Sequence, residues 1–403
     1  MNRLITFGEV SRFYGEVLGI NRALRTAGYE SEIIVETADP RLEDLTVDYR
    51  DIVNDIGPDD LLIHHFSLGS KASRTAYALP ARMVLIYHNI TPPEYFLGVH
   101  EQLVRQCYHG RRELTGYRTR CELALGDSEF NRQELESLGF DPTGVLHVVP
   151  DFSHLDVTPD PRVLDAYDDE WTNILFVGRL IPNKRPDDVI RFFNTFKQGR
   201  PKSRLILAGS YGGFDKYLAQ LHAYIAALGV KDVHILGQVT NEALTALYDC
   251  ADLFLCASEH EGFCVPLVEA FHKRVPVLAY AATAIPATMD GGGVLYTSKN
   301  ASRVAVLMES LTDDQGLAEQ VLLAQDAALD RLRSRDFSGS LLRFVEQAVS
   351  GPRRGEPVVA YDFWRQFKLA DELEEIRQYR PGAFKALPHD DDAGTTADLG
   401  HRA

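Results

Sequence analysis

The sequence predicts an α/β protein of two doubly wound (Rossmann-like) domains facing each other across a cleft. Continuous apolar runs, such as 60–66 and 83–88, suit parallel strands buried on both faces. These runs alternate with stretches of helical spacing along most of the chain. The alternation breaks once, at 151–170, where Asp and Pro accumulate as in a linker. The expected halves are 1–155 and 171–335, with a helix from within 336–380 completing the first.

In the first half, strands are expected at 4–7, 31–35, 60–66, 83–88, 121–125 and 145–149. The helix 15–27 carries Val17, Leu18, Leu24 and Ala27 on one side, and Gly28 stops it. Ser128 is a natural N-cap for a helix over 129–138. In the second half the strands are 173–177, 204–208, 233–236, 253–256 and 275–279. Helices are expected between them at 186–197, 214–228, 241–248 and 266–273. Amphipathic helices at 336–350 and 361–379 are both candidates to cross back onto the first domain. From 381 to 403 there is no apolar period, and the segment reads as a disordered tail.

Composition narrows the function. The 403 residues are 45% hydrophobic and 25% charged, as in ordinary globular proteins. A net charge of −16 argues against a nucleic-acid binder and against wholly electrostatic attachment to anionic lipid. No apolar run approaches the ~18 residues of a membrane span, and the N-terminus lacks a signal-peptide pattern. Five cysteines without C-x2-C spacing read as buried thiols in a reducing compartment, so a cytoplasmic protein is expected. Arg105, Arg111, Arg112, Arg118 and Arg120 fall in one helical stretch, 101–120. They form either a solvated face or a contact for an anionic acceptor or the inner face of a membrane.

The chemistry concentrates at Ser258–Ala270, directly after the strand 253–256. Pro266 is placed as the first residue of a helix. Gly262 lets the backbone pass close to a ligand. The amides of Phe263, Cys264, Val265 and Leu267 then lie around a helix N-terminus, an anion site. Glu261 lies on the loop and Glu269 one turn into the helix. Phosphate on the amides with hydroxyls on two carboxylates is the chemistry of a nucleotide sugar. Gly178 follows the strand 173–177 and is followed by Arg179 and Lys184, cations suited to a diphosphate. Gly209 and the pair Gln238–Val239 end the next two strands. In the first half His88 ends a strand with Asn89 after it. Gly15 opens the first helix, and the loop before it is either a phosphate contact or an ordinary turn.

The segment from Glu261 to Glu269 resembles the E-x7-E signature of retaining glycosyltransferases of the GT-B fold, the group 1 family. His88–Phe96 resembles a string that a subset of that family carries, and Gly178–Lys184 resembles its G-R-x4-K segment. The resemblance covers about residues 1–350 and implies transfer of a sugar from a UDP- or GDP-sugar with retention, the acceptor being a glycan, a lipid-linked sugar or a small molecule. It implies that Arg179 and Lys184 hold the diphosphate, Glu261 the sugar hydroxyls and Glu269 the ribose, while Gly209, Gln238 and Val239 shape the base pocket and His88 orients the sugar. No metal and no cofactor beyond the nucleotide sugar are expected, because fixed positive groups supply the charge. Three positions depart from the pattern: Ala287 where glutamate is frequent, Arg274 for a glycine, and Pro150-Asp151-Phe152 for Pro-Asn-Gly. A nucleotide-sugar epimerase and a non-catalytic nucleotide-sugar binder are the alternatives.

Overall fold

The computed structural model describes residues 4–8, 14–35, 43–48, 51, 55–69, 71–148 and 150–354. The loop 9–13, the stretch 361–379 and the tail 381–403 lie outside them. The first sheet holds β1 (Leu4–Gly8), β2 (Ser31–Val35), β3 (Val47–Asp48), β4 (Leu61–Phe66), β5 (Arg82–Tyr87), β6 (Leu123–Gly126) and β7 (Thr143–Val145). Its order is β3-β2-β1-β4-β5-β6-β7, with every pairing parallel. The second holds β8 (Thr172–Val177), β9 (Ser203–Ala208), β10 (Val233–Gly237), β11 (Leu253–Cys256), β12 (Val277–Tyr280) and β13 (Val294–Tyr296). Its order, β10-β9-β8-β11-β12-β13, is also wholly parallel. Strand order reverses between β1 and β4 and again between β8 and β11, and ligands of doubly wound sheets bind at the carboxyl ends there. Every residue of β4, β9 and β11 is buried, as the continuous apolar runs require.

Several boundaries differ from the sequence reading. The strand expected at 145–149 is β7 at 143–145, because the chain after Leu146 leaves the sheet edge. The apparent linker is partly folded: Asp160 caps a helix at Pro161–Tyr167, and Phe152, Leu155 and Tyr167 enter the second core. Its Asp and Pro residues are a helix start, not a spacer. The helix Phe337–Ser350, capped by Asp336, returns to the first sheet. There Leu341, Val345 and Ala348 pack with Ile20, Leu24, Val84 and Leu125. Arg82 on β5 donates to the carbonyls of Ala348 and Gly351, both at 3.0 Å.

The arginine-rich stretch forms a helix at Glu101–Gly116 and a further 3-10 turn. Two of its five arginines are committed to partners within the fold. Arg111 bonds the Ile90 carbonyl at 2.6 Å and pairs with Glu134. Arg120 is buried and donates to the carbonyls of Tyr77, Leu79 and Ala81 at 3.0, 2.7 and 2.7 Å, closing the end of the helix Lys71–Ala78. Neither is free for a lipid headgroup. Arg120→Met should cost about 3 kcal/mol or more, since three buried carbonyls lose their charged donor at about 1–3 kcal/mol each. Chemical denaturation measures it, and a loss below 1 kcal/mol would mean that water replaces the guanidinium.

Candidate active site

The carboxyl ends of the second sheet are lined with bare backbone. β8, β9 and β10 run into Gly178, Gly209 and Gly237, with φ of 151°, 151° and 70°. They are stitched side by side: Gly178 N donates to Ala208 O at 2.9 Å and Gly209 N to Gly237 O at 2.8 Å. A Cβ on Gly209 would lie 1.9 Å from Gly178 O, so only glycine fits. Gln238 is exposed beyond this shelf, and Val239 packs half-buried on the second core.

Lys184 and Glu261 meet across the switch point between β8 and β11. Lys184 Nζ lies 2.6 Å from Glu261 Oε1, with side chains only 17% and 9% exposed. Burial opposes charge on the amine, but the Glu261 carboxylate outweighs it and the lysine pKa is raised. An ionic frame fixes the loop. Glu259 accepts from Arg185 at 3.1 Å and Lys299 at 2.7 Å, while Asn183 Nδ2 donates to His260 O at 3.1 Å. Thr283 Oγ1 accepts from the Glu261 amide at 2.9 Å.

The helix after the loop spans Val265–His272, one residue earlier than Pro266 suggested. Cys264 takes the N-cap position in the left-handed region (φ 74°), and no side chain caps the first turn. Phe263 is buried, its carbonyl accepting from Thr288 Oγ1 at 2.5 Å, and Leu267 is buried in the second core. Val265 is partly exposed at the mouth. Glu269 accepts from Tyr248 OH and from His154 Nε2, each at 2.9 Å. The hydrogen bond to Glu269 raises the His154 pKa. Neither partner was legible in sequence: Tyr248 is a helix residue and His154 lay in the apparent linker.

Arg179 follows Gly178 on the same shelf. Its guanidinium reaches Gly212 O at 3.4 Å and lies 5.4 Å from the Phe214 ring centre. Phe214 in turn lies against Phe96 and His100 of the first half, the rings tilted at centre distances of 5.9 and 5.0 Å.

The first half contributes a buried ionisable cluster at its own switch point. His88 Nε2 and His65 Nδ1 are 2.7 Å apart, so one ring donates to the other. On its far side His88 Nδ1 faces Asp127 at 3.6 Å and Glu16 at 3.8 Å. Burial opposes charge on His88, yet Glu16 and Asp127 raise its pKa. Burial, then His88, lowers that of His65. The opposite shifts favour charge on His88 over charge on His65. Burial pushes Glu16 up to about 7. Glu16, His65 and His88 offer ligand atoms within 4.8 Å of one another, and the two rings meet at 2.7 Å. The His88 side chain is fully buried rather than open to the cleft, and His65 on β4 is its partner. The neighbouring backbone does face the cleft: a Cβ on Gly262 would lie 3.0 Å from Asn89 Cβ and 3.3 Å from His88 O. Asn89, at φ 68°, donates to Asn131 Oδ1 at 2.8 Å and also contacts His260. It ties the halves together instead of standing in an open phosphate loop. Gly15 lies at the start of the helix Tyr14–Thr26, and the loop before it is outside the described residues.

This architecture is the GT-B glycosyltransferase fold. Sucrose-phosphate synthase from Thermosynechococcus elongatus superposes with a TM-score of 0.63 at 13% identity, covering 87% of this chain and all of that one. Anabaena HepE in complex with UDP-glucose gives 0.66 at 17% identity, over 85% and 99%. At such identity these likenesses show the fold alone. Residues 160–322 match the family model of glycosyl transferases group 1. The O-antigen chain mannosyltransferase B of Escherichia coli is 26% identical over 246 residues, 58% of this chain and 62% of that protein. A D-inositol 3-phosphate glycosyltransferase of Corynebacterium aurimucosum is 33% identical over 146 residues, 35% of each. The chain thus spans less than two thirds of either relative's length.

Among the described residues no helix is long and apolar enough to cross a membrane.

Proposed function

We propose that the protein is a retaining hexosyltransferase that moves a sugar from a UDP- or GDP-sugar to a saccharide or other hydroxyl acceptor in polysaccharide biosynthesis. The observation that carries the reading is the Lys184–Glu261 pair, 2.6 Å apart at the second switch point. A cation beside a carboxylate suits a donor that joins phosphate to sugar. The acceptor oxygen bonds to the anomeric carbon while the bond from that carbon to the β-phosphate oxygen breaks. The acceptor proton leaves with the nucleoside diphosphate. Charge growing on the phosphate is met by Lys184, Arg179 and the uncapped first turn at Cys264–Val265. Glu269 has two of about four acceptor positions occupied, which leaves room for the ribose hydroxyls. A site of the protein in the cytoplasm, with any membrane contact peripheral, completes the reading.

A panel of UDP- and GDP-sugars, followed by proton NMR of the anomeric signal, tests it. Transfer with retained configuration is expected, and turnover should survive EDTA because the charged side chains and amides carry the phosphate. Activity lost to chelator and restored by Mn²⁺ would refute the charge assignment. Epimerised donor, or binding without turnover, would favour the alternatives.

A further inference from the structure

His154 is mounted on the stretch that carries the chain out of the first sheet and into the second core. Asp151 Oδ1 accepts from the Ser153 amide at 2.9 Å, and Leu155 N donates to Phe152 O at 2.8 Å, so 151–155 is a closed turn. Its two apolar residues anchor it. Leu155 is buried and its carbonyl accepts from Thr245 Oγ1 at 3.2 Å, while the Phe152 ring stacks on His272 with centres 4.6 Å apart. The imidazole between these anchors has little freedom, yet its side chain is 32% exposed and exchanges protons with solvent.

Each ring nitrogen meets an oxygen. Nδ1 lies 3.0 Å from Asp151 O, and Nε2 lies 2.9 Å from Glu269 Oε1. A carbonyl oxygen only accepts, and so does an ionised carboxylate. Both contacts are hydrogen bonds only when both nitrogens carry protons, which is the imidazolium. Neutral imidazole has one N–H, and whichever oxygen it serves, the other nitrogen turns a lone pair toward the remaining oxygen. The second carboxyl oxygen of Glu269, Oε2, accepts from Tyr248 OH at 2.9 Å. Burial keeps the Tyr248 pKa well above its usual value, so of the two donors His154 is the one that titrates near neutrality. Without it the carboxylate turns about its last torsion, and its remaining acceptor positions no longer converge on the ribose.

The charges around the ring favour the same state. The hydrogen bond to Glu269, from the helix Val265–His272, leads the causes that raise the His154 pKa, and Asp151 on its own turn adds to it. Arg22 of the first helix acts on Asp151, and His272 pairs with Asp156 at 2.9 Å. We propose that His154 is the positioning residue of the ribose carboxylate: as an imidazolium it holds Glu269 and the Asp151 carbonyl together, and nucleotide affinity falls when its proton is lost. The proposal rests on the reading of Glu269 as the ribose contact and adds a pH dependence to it. Affinity is full below the His154 pKa, which lies above the ordinary 6.5, and is lost as pH rises through it.

Calorimetry of free UDP and GDP between about pH 6 and 9 tests this with wild type and His154→Gln, whose amide donates to Glu269 at every pH. The ratio of the two affinities cancels the titration of the nucleotide itself. Relative to the variant, wild type should lose roughly three- to tenfold across the interval, the usual contribution of one hydrogen bond. His154→Ala should bind weakly throughout without that step, and His272→Gln should keep the wild-type profile. NMR of the His154 ring in the nucleotide-free protein should show a midpoint above 6.5 that falls in Glu269→Gln. A constant ratio, wild-type affinity that rises with pH relative to the variant, or a His154 midpoint at or below 6.5 would overturn the inference and leave glycosyl transfer standing. A wild type that binds neither nucleotide at any pH, with the ring still titrating as expected, would instead refute the ribose reading and the inference with it.

Discussion

Lys184→Ala is expected to lower turnover about 10²–10³-fold, the usual loss when one preorganised donor to a developing negative charge is removed. A second effect follows from the 2.6 Å contact with Glu261, whose side chain is only 9% exposed. Removing the amine leaves a carboxylate enclosed without its cation, and breaking a buried pair this way costs about 3–5 kcal/mol. The two effects can be separated. Lys184→Ala combined with Glu261→Gln removes the uncompensated charge, so stability should largely return while turnover stays low. Thermal denaturation beside initial rates reads both. Turnover within a few-fold of wild type in Lys184→Ala would mean that the amine serves the fold and not the phosphate.

Gly209→Ala should be nearly as damaging, through the backbone. The added Cβ would lie 1.9 Å from Gly178 O and 3.2 Å from Arg179 N, and φ is 151°. β8 and β9 must part at their carboxyl ends, breaking the bonds of Gly178 N to Ala208 O and Leu180 N to Ser210 O. The cost should be at least about 2–3 kcal/mol, with loss of nucleotide binding because the shelf itself moves. Gly28→Ala is the control: φ there is +87°, but its Cβ would meet nothing within 4 Å. It carries the strain of positive φ without the clash, so it should be milder and leave nucleotide affinity intact. Equal effects from the two would place the damage in backbone strain and not in the contact of the two strand ends.

What was legible in the sequence was local. Continuous apolar runs mark β4, β5, β9 and β11, since strands of a parallel sheet are buried on both faces. The loop at Glu261 was legible because its glycine, proline and carboxylates fall within one short segment. The interactions that complete the site join residues far apart in sequence and leave no local pattern. His154 approaches Glu269 across 115 positions, and His65 meets His88 only because β4 and β5 pair in parallel. The basic stretch at 101–120 was legible only in part for the same reason. Composition cannot distinguish a solvated arginine from Arg120, which closes a helix end.

The central claim is that Glu261 meets the transferred sugar and Glu269 the ribose. Calorimetry of free UDP and GDP with Glu261→Gln and Glu269→Gln, beside turnover of each, tests it most directly. A hydrogen bond to a charged group contributes about 1.5–3 kcal/mol. Glu269→Gln should therefore weaken the free nucleotide roughly tenfold or more. Glu261→Gln should leave that affinity nearly unchanged and lower turnover, because the free nucleotide carries no sugar. Equal losses of nucleotide affinity in the two variants, or full activity in Glu261→Gln, would contradict the account.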